Sequence, residues 1–186
     1  MHDVELKFDA WASNYDADAT KLYNWRGPLE TVGPVKRYLP VGALILDAGA
    51  GTGLVGEALA NHGYTNIIAV DLSQKMLDIA NAKSVYRGVF KADLLKSLPF
   101  QDGILDAVLC IGTLSYLTSQ VISEFTRIIK PGGYIIYIIN DTFYHKRGFE
   151  TAVKEAALEV VEIGPRFPSI PLVDPDHKSR IRVLRR

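Results

Sequence analysis

The sequence predicts an α/β fold: a doubly wound, mostly parallel sheet of seven strands that ends in an antiparallel C-terminal hairpin. Three observations predict it. From residue 43 onward, short apolar runs alternate with helical stretches, as βαβ units require. The first run stops at a glycine-rich turn, Ala48-Gly49-Ala50-Gly51-Thr52-Gly53. The last two runs, Leu158 to Gly164 and Lys178 to Leu184, have a loop and no helix between them.

The elements follow in order. Phe8, Trp11, Ala12 and Tyr15 fall at i, i+3, i+4 and i+7, one face of a helix. Tyr23, Trp25 and Pro28 lie in a less regular stretch, and Leu29 to Leu39 forms a second helix ended by Pro40-Val41-Gly42. Ala43 to Asp47 is a buried strand. The helix after the glycine turn carries Leu54, Val55, Ala58 and Leu59 on one face and closes at Gly63. Asn66 to Asp71 is the second strand, and Ser73 caps a helix that turns Met76, Leu77 and Ala80 inward. Tyr86 to Ala92 and Leu105 to Ile111 are the third and fourth strands. Val121 to Ile129 is a helix ended by Lys130-Pro131-Gly132-Gly133, and Tyr134 to Ile139 is the fifth strand. Glu150 to Ala157 is a helix before the two closing strands. Three helices are expected on each side of the sheet.

At 186 residues the chain has the length of about one domain. Residues 1–42 are read as an N-terminal helical lid and 43–186 as the core. A composition 48% hydrophobic and 23% charged is that of an ordinary globular protein. The net charge is zero, which argues against nucleic acid as the partner, because displacing counterions from phosphates needs a basic excess. The basic tail from His177 to Arg186 is read as a strand with a solvated face that discourages edge pairing. Cys110, the single cysteine, sits in an apolar strand and is read as core. His2, His62, His145 and His177 lack metal-ligand spacing, so no metal is expected. No apolar run reaches membrane length and the N-terminus has no signal-peptide pattern, so a cytoplasmic monomer is the expectation.

A doubly wound sheet binds ligands at the carboxyl ends of its strands. Gly51-Thr52-Gly53-Leu54-Val55-Gly56 matches the dinucleotide pattern G-x-G-x-x-G literally, but in the wrong register. Counted from Gly49, the first glycine after the strand, the third position is Leu54. Asp47 also stands where a pyrophosphate wants no anion. A cationic ligand removes both objections: Asp47 attracts a sulfonium and ammonium end, and the glycines let backbone approach it. Asp71, at the tip of the second strand, takes a ribose hydroxyl pair.

These residues resemble the motifs of class I S-adenosylmethionine-dependent methyltransferases. Leu46 to Gly53 resembles the first motif, and Val70-Asp71-Leu72-Ser73 with Met76-Leu77 the second-strand motif. Ala92-Asp93-Leu94 resembles the loop that contacts adenine. Phe100 to Leu117 resembles the fourth-strand motif, and Lys130 to Gly133 the turn before the fifth strand. Tyr15-Asp16, after Phe8 and Trp11, is similar to an N-terminal lid. The resemblance implies a Rossmann-like minimal core and S-adenosylmethionine as cofactor. It implies cofactor contacts from Tyr15, Asp47, Gly49, Ala50, Gly51, Gly53, Asp71, Leu72, Met76, Ala92, Asp93, Leu94, Ile111 and Gly112. Tyr116, Asn140 and His145 are expected where a substrate enters. No residue identifies itself as a base, and Ser115-Tyr116 stands where many small-molecule members carry histidine. The function implied is methyl transfer to a small-molecule acceptor. The alternatives are a non-catalytic S-adenosylmethionine-binding regulatory module and an NAD(P)-dependent reductase.

Overall fold

The computed structural model describes residues 1–186. Helix α1 (His2–Ala17) runs into a π-helical turn (Asp18–Leu22) and then α2 (Gly27–Tyr38). The core follows as β1 (Ile45–Ala48), α3 (Leu54–Ala60), β2 (Ile67–Asp71), α4 (Gln74–Ala82), β3 (Gly88–Lys91) and β4 (Leu105–Ile111). A 3-10 turn (Leu114–Tyr116) leads to α5 (Val121–Ile128), β5 (Ile129–Asn140), α6 (Asp141–Lys146) and α7 (Phe149–Glu155). The chain closes with β6 (Glu159–Ile163), β7 (Phe167–Ile170) and β8 (Asp174–Arg185).

The sheet order is β3-β2-β1-β4-β5-β8-β6, with β7 also paired to β8. Strands β1 to β5 are mutually parallel, and β8 is antiparallel to both β5 and β6. The strand order reverses at β1 and β4, so their carboxyl ends open a crevice there. Side-chain alternation divides the core in two. Ile45, Ala107, Leu109, Ile136, Ile138, Ile181 and Val183 meet α2 and α3 on one face. Leu46, Val108, Cys110, Ile135, Tyr137 and Leu184 meet α5 and α7 on the other. Ser73 caps α4 as expected, its hydroxyl accepting the Met76 N–H at 3.1 Å. No helix is long and apolar enough to cross a membrane.

Several expectations change. The stretch from Pro165 to His177 is not all loop, because Phe167–Ile170 pairs with β8 and makes an eighth strand. The closing antiparallel hairpin forms one edge of the sheet as expected, but β6 is the outer strand, so β8 lies between β5 and β6. The basic tail is therefore only partly solvated: Lys178, Arg185 and Arg186 are exposed, but the centre of the strand is not. Arg182 is only 5% exposed, its guanidinium lies 4.1 Å over the Tyr144 ring, and it bonds Asp141 at 2.6 Å. Burial of the arginine is offset by that carboxylate and ring. No helix joins β3 to β4; Leu94 and Leu98 of that loop fill the core in its place. Residues 130–133 belong to β5 instead of a separate turn, and the β4–β5 register shifts between Leu105 and Ala107 to accommodate them.

Candidate functional site

The glycine turn leaves β1 pinned to the end of β2. The N–H groups of Gly49 and Ala50 both donate to the Val70 carbonyl, at 2.8 and 3.1 Å. Gly49 has φ +82°, and a Cβ there would lie 2.3 Å from Thr113 Oγ1. That hydroxyl donates to the Gly49 carbonyl at 3.2 Å, so β4's end and β1's turn lock together. Gly51 is different. A Cβ on it would meet nothing within 4 Å, because its Cα faces an open cleft.

That cleft holds about 790 Å³ of empty space, part of it open to solvent, and lies in the size range of small-ligand sites. Of the residues expected to hold a cofactor, it is lined by Tyr15, Gly49, Ala50, Gly51, Asp71, Leu72, Met76, Leu94, Ile111 and Gly112. Tyr116, expected to meet a substrate, lines it too. Asp71 sits at its inner wall. One carboxylate oxygen accepts the Gly51 N–H at 2.8 Å and the other accepts the Ser73 N–H at 2.9 Å. Burial pushes the Asp71 carboxyl up, and these N–H bonds oppose that push. Each oxygen retains acceptor capacity for hydroxyls in the cleft.

Six expected residues lie elsewhere. Gly53, Ala92 and Asp93 do not line the cleft. Asp93 instead accepts the Leu95 N–H within its own loop at 3.0 Å. Asp47 is 1% exposed and lies behind the turn, where it accepts the Tyr86 hydroxyl at 2.7 Å. Burial, reinforced by the nearby charge of Asp71, raises its carboxyl to about 7 against the pull of that hydrogen bond. Asn140 caps α6 by accepting the Thr142 N–H at 2.8 Å. His145 lines a separate groove beside Asp141 and the arginines of β8.

The N-terminal segment expected as a lid does line the cleft, and the contacts that tie it down are the part the sequence did not announce. Helix α1 lies across it and is tied at several points. Asp9 accepts the Ser73 hydroxyl, and Asp16 accepts the Thr52 hydroxyl. Asp16 also pairs with Lys83 at 2.8 Å, and Glu5 with Lys91 at 2.6 Å. The Trp25 indole covers the end of β4. A Cβ at Gly112 would lie 2.9 Å from it, and one at Gly27 would lie 2.5 Å away. Aspartates spaced seven apart on the aromatic helix, Asp9 and Asp16, were the available signal for the latches.

The carboxylates on the cleft wall are both engaged: Asp71 accepts two backbone N–H groups, and Glu5 pairs with Lys91 at 2.6 Å. Burial and the Asp71 charge raise the Tyr15 hydroxyl far above its ordinary range, so it stays a neutral donor. Cys110 is fully buried and its thiol is likewise pushed up, which makes it core and no nucleophile.

Residues 46–137 match the family described as the methyltransferase domain. Over 172 residues the chain is 31% identical to a demethylmenaquinone methyltransferase from Clavibacter sepedonicus, covering 86% of this chain and 68% of that protein. The chain belongs to the S-adenosylmethionine-dependent methyltransferase family. It is also 38% identical over 135 residues to Methyltransferase-like protein 27 from Homo sapiens, covering 69% of this chain and 54% of that protein. A Haloferax volcanii methyltransferase, solved in complex with its activator Trm112, superposes with a TM-score of 0.76 at 20% identity, over 98% of this chain and 96% of that one. The chain spans between half and two thirds of the length of several curated relatives. The family's cofactor is S-adenosylmethionine, and the cleft fits it. Gly51 leaves its Cα face open, Asp71 offers acceptors to a ribose, and Met76, Leu94 and Ile111 supply apolar walls.

Proposed function

We propose that the chain transfers a methyl group from S-adenosylmethionine to a small-molecule acceptor. The observation that carries this reading is the cleft at the ends of β1, β2 and β4, with the open Gly51 backbone on one side and the Asp71 carboxylate on the other. S-adenosylmethionine supplies a methyl on a positively charged sulfur, a leaving group that needs no acid to depart.

The protein's part is then alignment and exclusion of water. Asp71 receives the ribose hydroxyls, and Gly49 to Gly51 form the floor under the amino-acid end. Tyr15 offers a hydroxyl that remains protonated. Residues 1–42 act as the lid of a single domain, with Asp9 and Asp16 as its latches. Opening of such a one-sided segment admits the ligand, and closing dries the cleft. Asp47 acts on the cofactor from behind the turn, through the field of its carboxylate. Because the wall carboxylates Asp71 and Glu5 are taken up by backbone N–H groups and by Lys91, the acceptor suits this site best when it arrives already nucleophilic.

Isothermal titration with S-adenosylmethionine, S-adenosylhomocysteine and NADH tests the reading. Both sulfur ligands should bind and NADH should not. Asp71→Asn should weaken S-adenosylhomocysteine by roughly tenfold to a hundredfold, the usual cost of a lost charge-assisted pair. Binding of NADH alone would make the chain a reductase. Binding of the sulfur ligands without turnover on any small acceptor would make it a regulatory module.

A further inference from the structure

Beside the cofactor cleft lies a second cavity of about 840 Å³, part of it open to solvent. The two share Phe8, Tyr15, Trp25, Gly112 and Tyr116 as common wall, so whatever fills the second reaches the first. Its own walls are aromatic to an unusual degree: Phe8, Trp11, Tyr15, Tyr23, Trp25 and Tyr116. Both tryptophans of the chain are there. The rings meet edge to face, Trp11 on Tyr15 at 4.8 Å and 69°, and Phe8 on Tyr116 at 5.3 Å and 80°. Aromatic walls of this kind suit a flat guest. Ile170 of the unexpected strand β7 closes the far side.

The charge in this cavity is specific. Lys7 at its mouth is the only ionisable cation on the wall, and no carboxylate lines it. The Lys7 ammonium lies 3.3 Å from the Tyr116 hydroxyl and 5.2 Å from that ring's centre. Asp18, on the turn after α1, is engaged elsewhere, accepting the Trp11 indole N–H at 2.6 Å. An amine guest would find ring faces but a like charge at the entrance and no anion to pair with. A sugar would find few polar partners among mostly apolar walls.

We propose that the acceptor is a flat aromatic ring carrying an acidic group, and that Lys7 holds that group as its anion at the mouth of the aromatic cavity. The inference rests on the methyltransferase reading and deepens it. On binding, the acidic proton passes to bulk water and Lys7 keeps its own. The acceptor lone pair is then free without a base, which suits a cleft whose two carboxylates, Asp71 and Glu5, are already engaged. Lys7 is a positioning residue that makes the nucleophile by charge.

The test uses 4-nitrophenol, whose colour reports ionisation, with wild-type protein saturated with S-adenosylhomocysteine. The ring should bind, measured by quenching of Trp11 and Trp25. Its bound form should ionise about half to one pH unit lower than free, roughly a three- to tenfold gain in its acid constant. Lys7→Met should abolish that shift and Lys7→Arg should retain it. 4-Nitroanisole, the same ring with its oxygen capped, should bind wild type and Lys7→Met equally. Tighter binding of phenyltrimethylammonium or octanoate than of 4-nitrophenol would overturn the proposal, as would an ionisation shift that survives Lys7→Met. Lys7 does not line the cofactor cleft, so S-adenosylhomocysteine affinity measured by calorimetry should be the same in wild type and Lys7→Met. If wild type failed to bind S-adenosylhomocysteine, the methyltransferase reading would fall instead, and the nitrophenol titration without it would still decide the cavity.

Discussion

Removing one oxygen atom from Tyr86 should make the protein's stability more sensitive to pH. The Tyr86 hydroxyl donates to Asp47 at 2.7 Å, and Asp47 is the carboxylate closest to being wholly buried in this fold. Its carboxyl stands at about 7 in the folded state, against 3.8 for the ordinary group. Below about pH 4 the acid is protonated in both states and costs nothing. As pH rises from there, the unfolded chain gives up its proton first and the folded chain holds on. Stability therefore falls through the window from about pH 4 to about pH 7, by about 4 kcal/mol in all, taking 1.36 kcal/mol per unit. The Tyr86 hydrogen bond is what keeps that cost from being larger.

Tyr86→Phe keeps the ring that packs on Gly53 and Gly56 and loses only the donor. At pH 8, where Asp47 is ionised, the change should cost about 1.5–3 kcal/mol, the worth of a hydrogen bond to a charged group. At pH 5.5, where Asp47 is protonated, it should cost only about 0.5–1.5 kcal/mol. For a chain of this length the first figure lowers Tm by about 3–12 °C. Urea unfolding of both proteins at the two pH values measures the difference. An Asp47→Asn background should make the cost of Tyr86→Phe the same at both. Equal costs at pH 8 and pH 5.5 in the wild-type background would refute the assignment of charge to this pair.

Asp141→Asn should destabilise by about 3–5 kcal/mol in thermal unfolding at pH 7, because it strands buried Arg182 as well as Arg180 and Arg166. Those arginines hold the Asp141 carboxyl down at about 2, so its contribution is present above about pH 4 and should fade as pH falls through 2. Hydrogen exchange in residues 8–25 should slow on adding S-adenosylhomocysteine, more than around Val108; equal protection with and without ligand would end the lid reading. Asp16→Ala should speed exchange in the same segment without ligand, since it releases both Thr52 and Lys83.

The inner strands β1, β2 and β4 of the parallel core were legible because they are largely buried on both faces and read as mostly apolar runs, unlike the half-exposed edge strand β3. Val108 and Cys110 turn to one side and Leu109 and Ile111 to the other, yet all four are apolar. β8 was harder to place for the same physical reason in reverse. Arg180 and Arg182 look like solvent residues, and only the three-dimensional arrival of Asp141, some forty residues earlier, neutralises them. β7 contains Pro168 and follows Pro165, and proline argues against a strand unless it lies at an edge, as it does here. Of the site, the stretch local in sequence, Gly49 to Gly51 with Asp71, could be read directly. The roles of Thr113, Trp25 and the Asp9–Ser73 latch could not, because each depends on a contact with a residue far along the chain.

The glycine motif itself divides into two halves with different reasons to exist. Gly49 and Gly51 serve the turn and the open cleft. Gly53 and Gly56, which complete the literal G-x-G-x-x-G, face away from it. Cβ atoms there would lie 2.9 and 2.3 Å from the Tyr86 ring. These glycines make room for the ring that delivers a hydroxyl to Asp47, and Asp47 is thereby held under the turn as a buried acid. The pattern that most suggested a dinucleotide is thus partly a packing requirement between α3 and Tyr86. Above about pH 7, where it is ionised, a carboxylate so placed puts negative potential beneath the turn without touching the ligand, which favours a cation above it and opposes a pyrophosphate. The same four glycines therefore argue for a sulfonium cofactor through what lies behind them as much as through what they face.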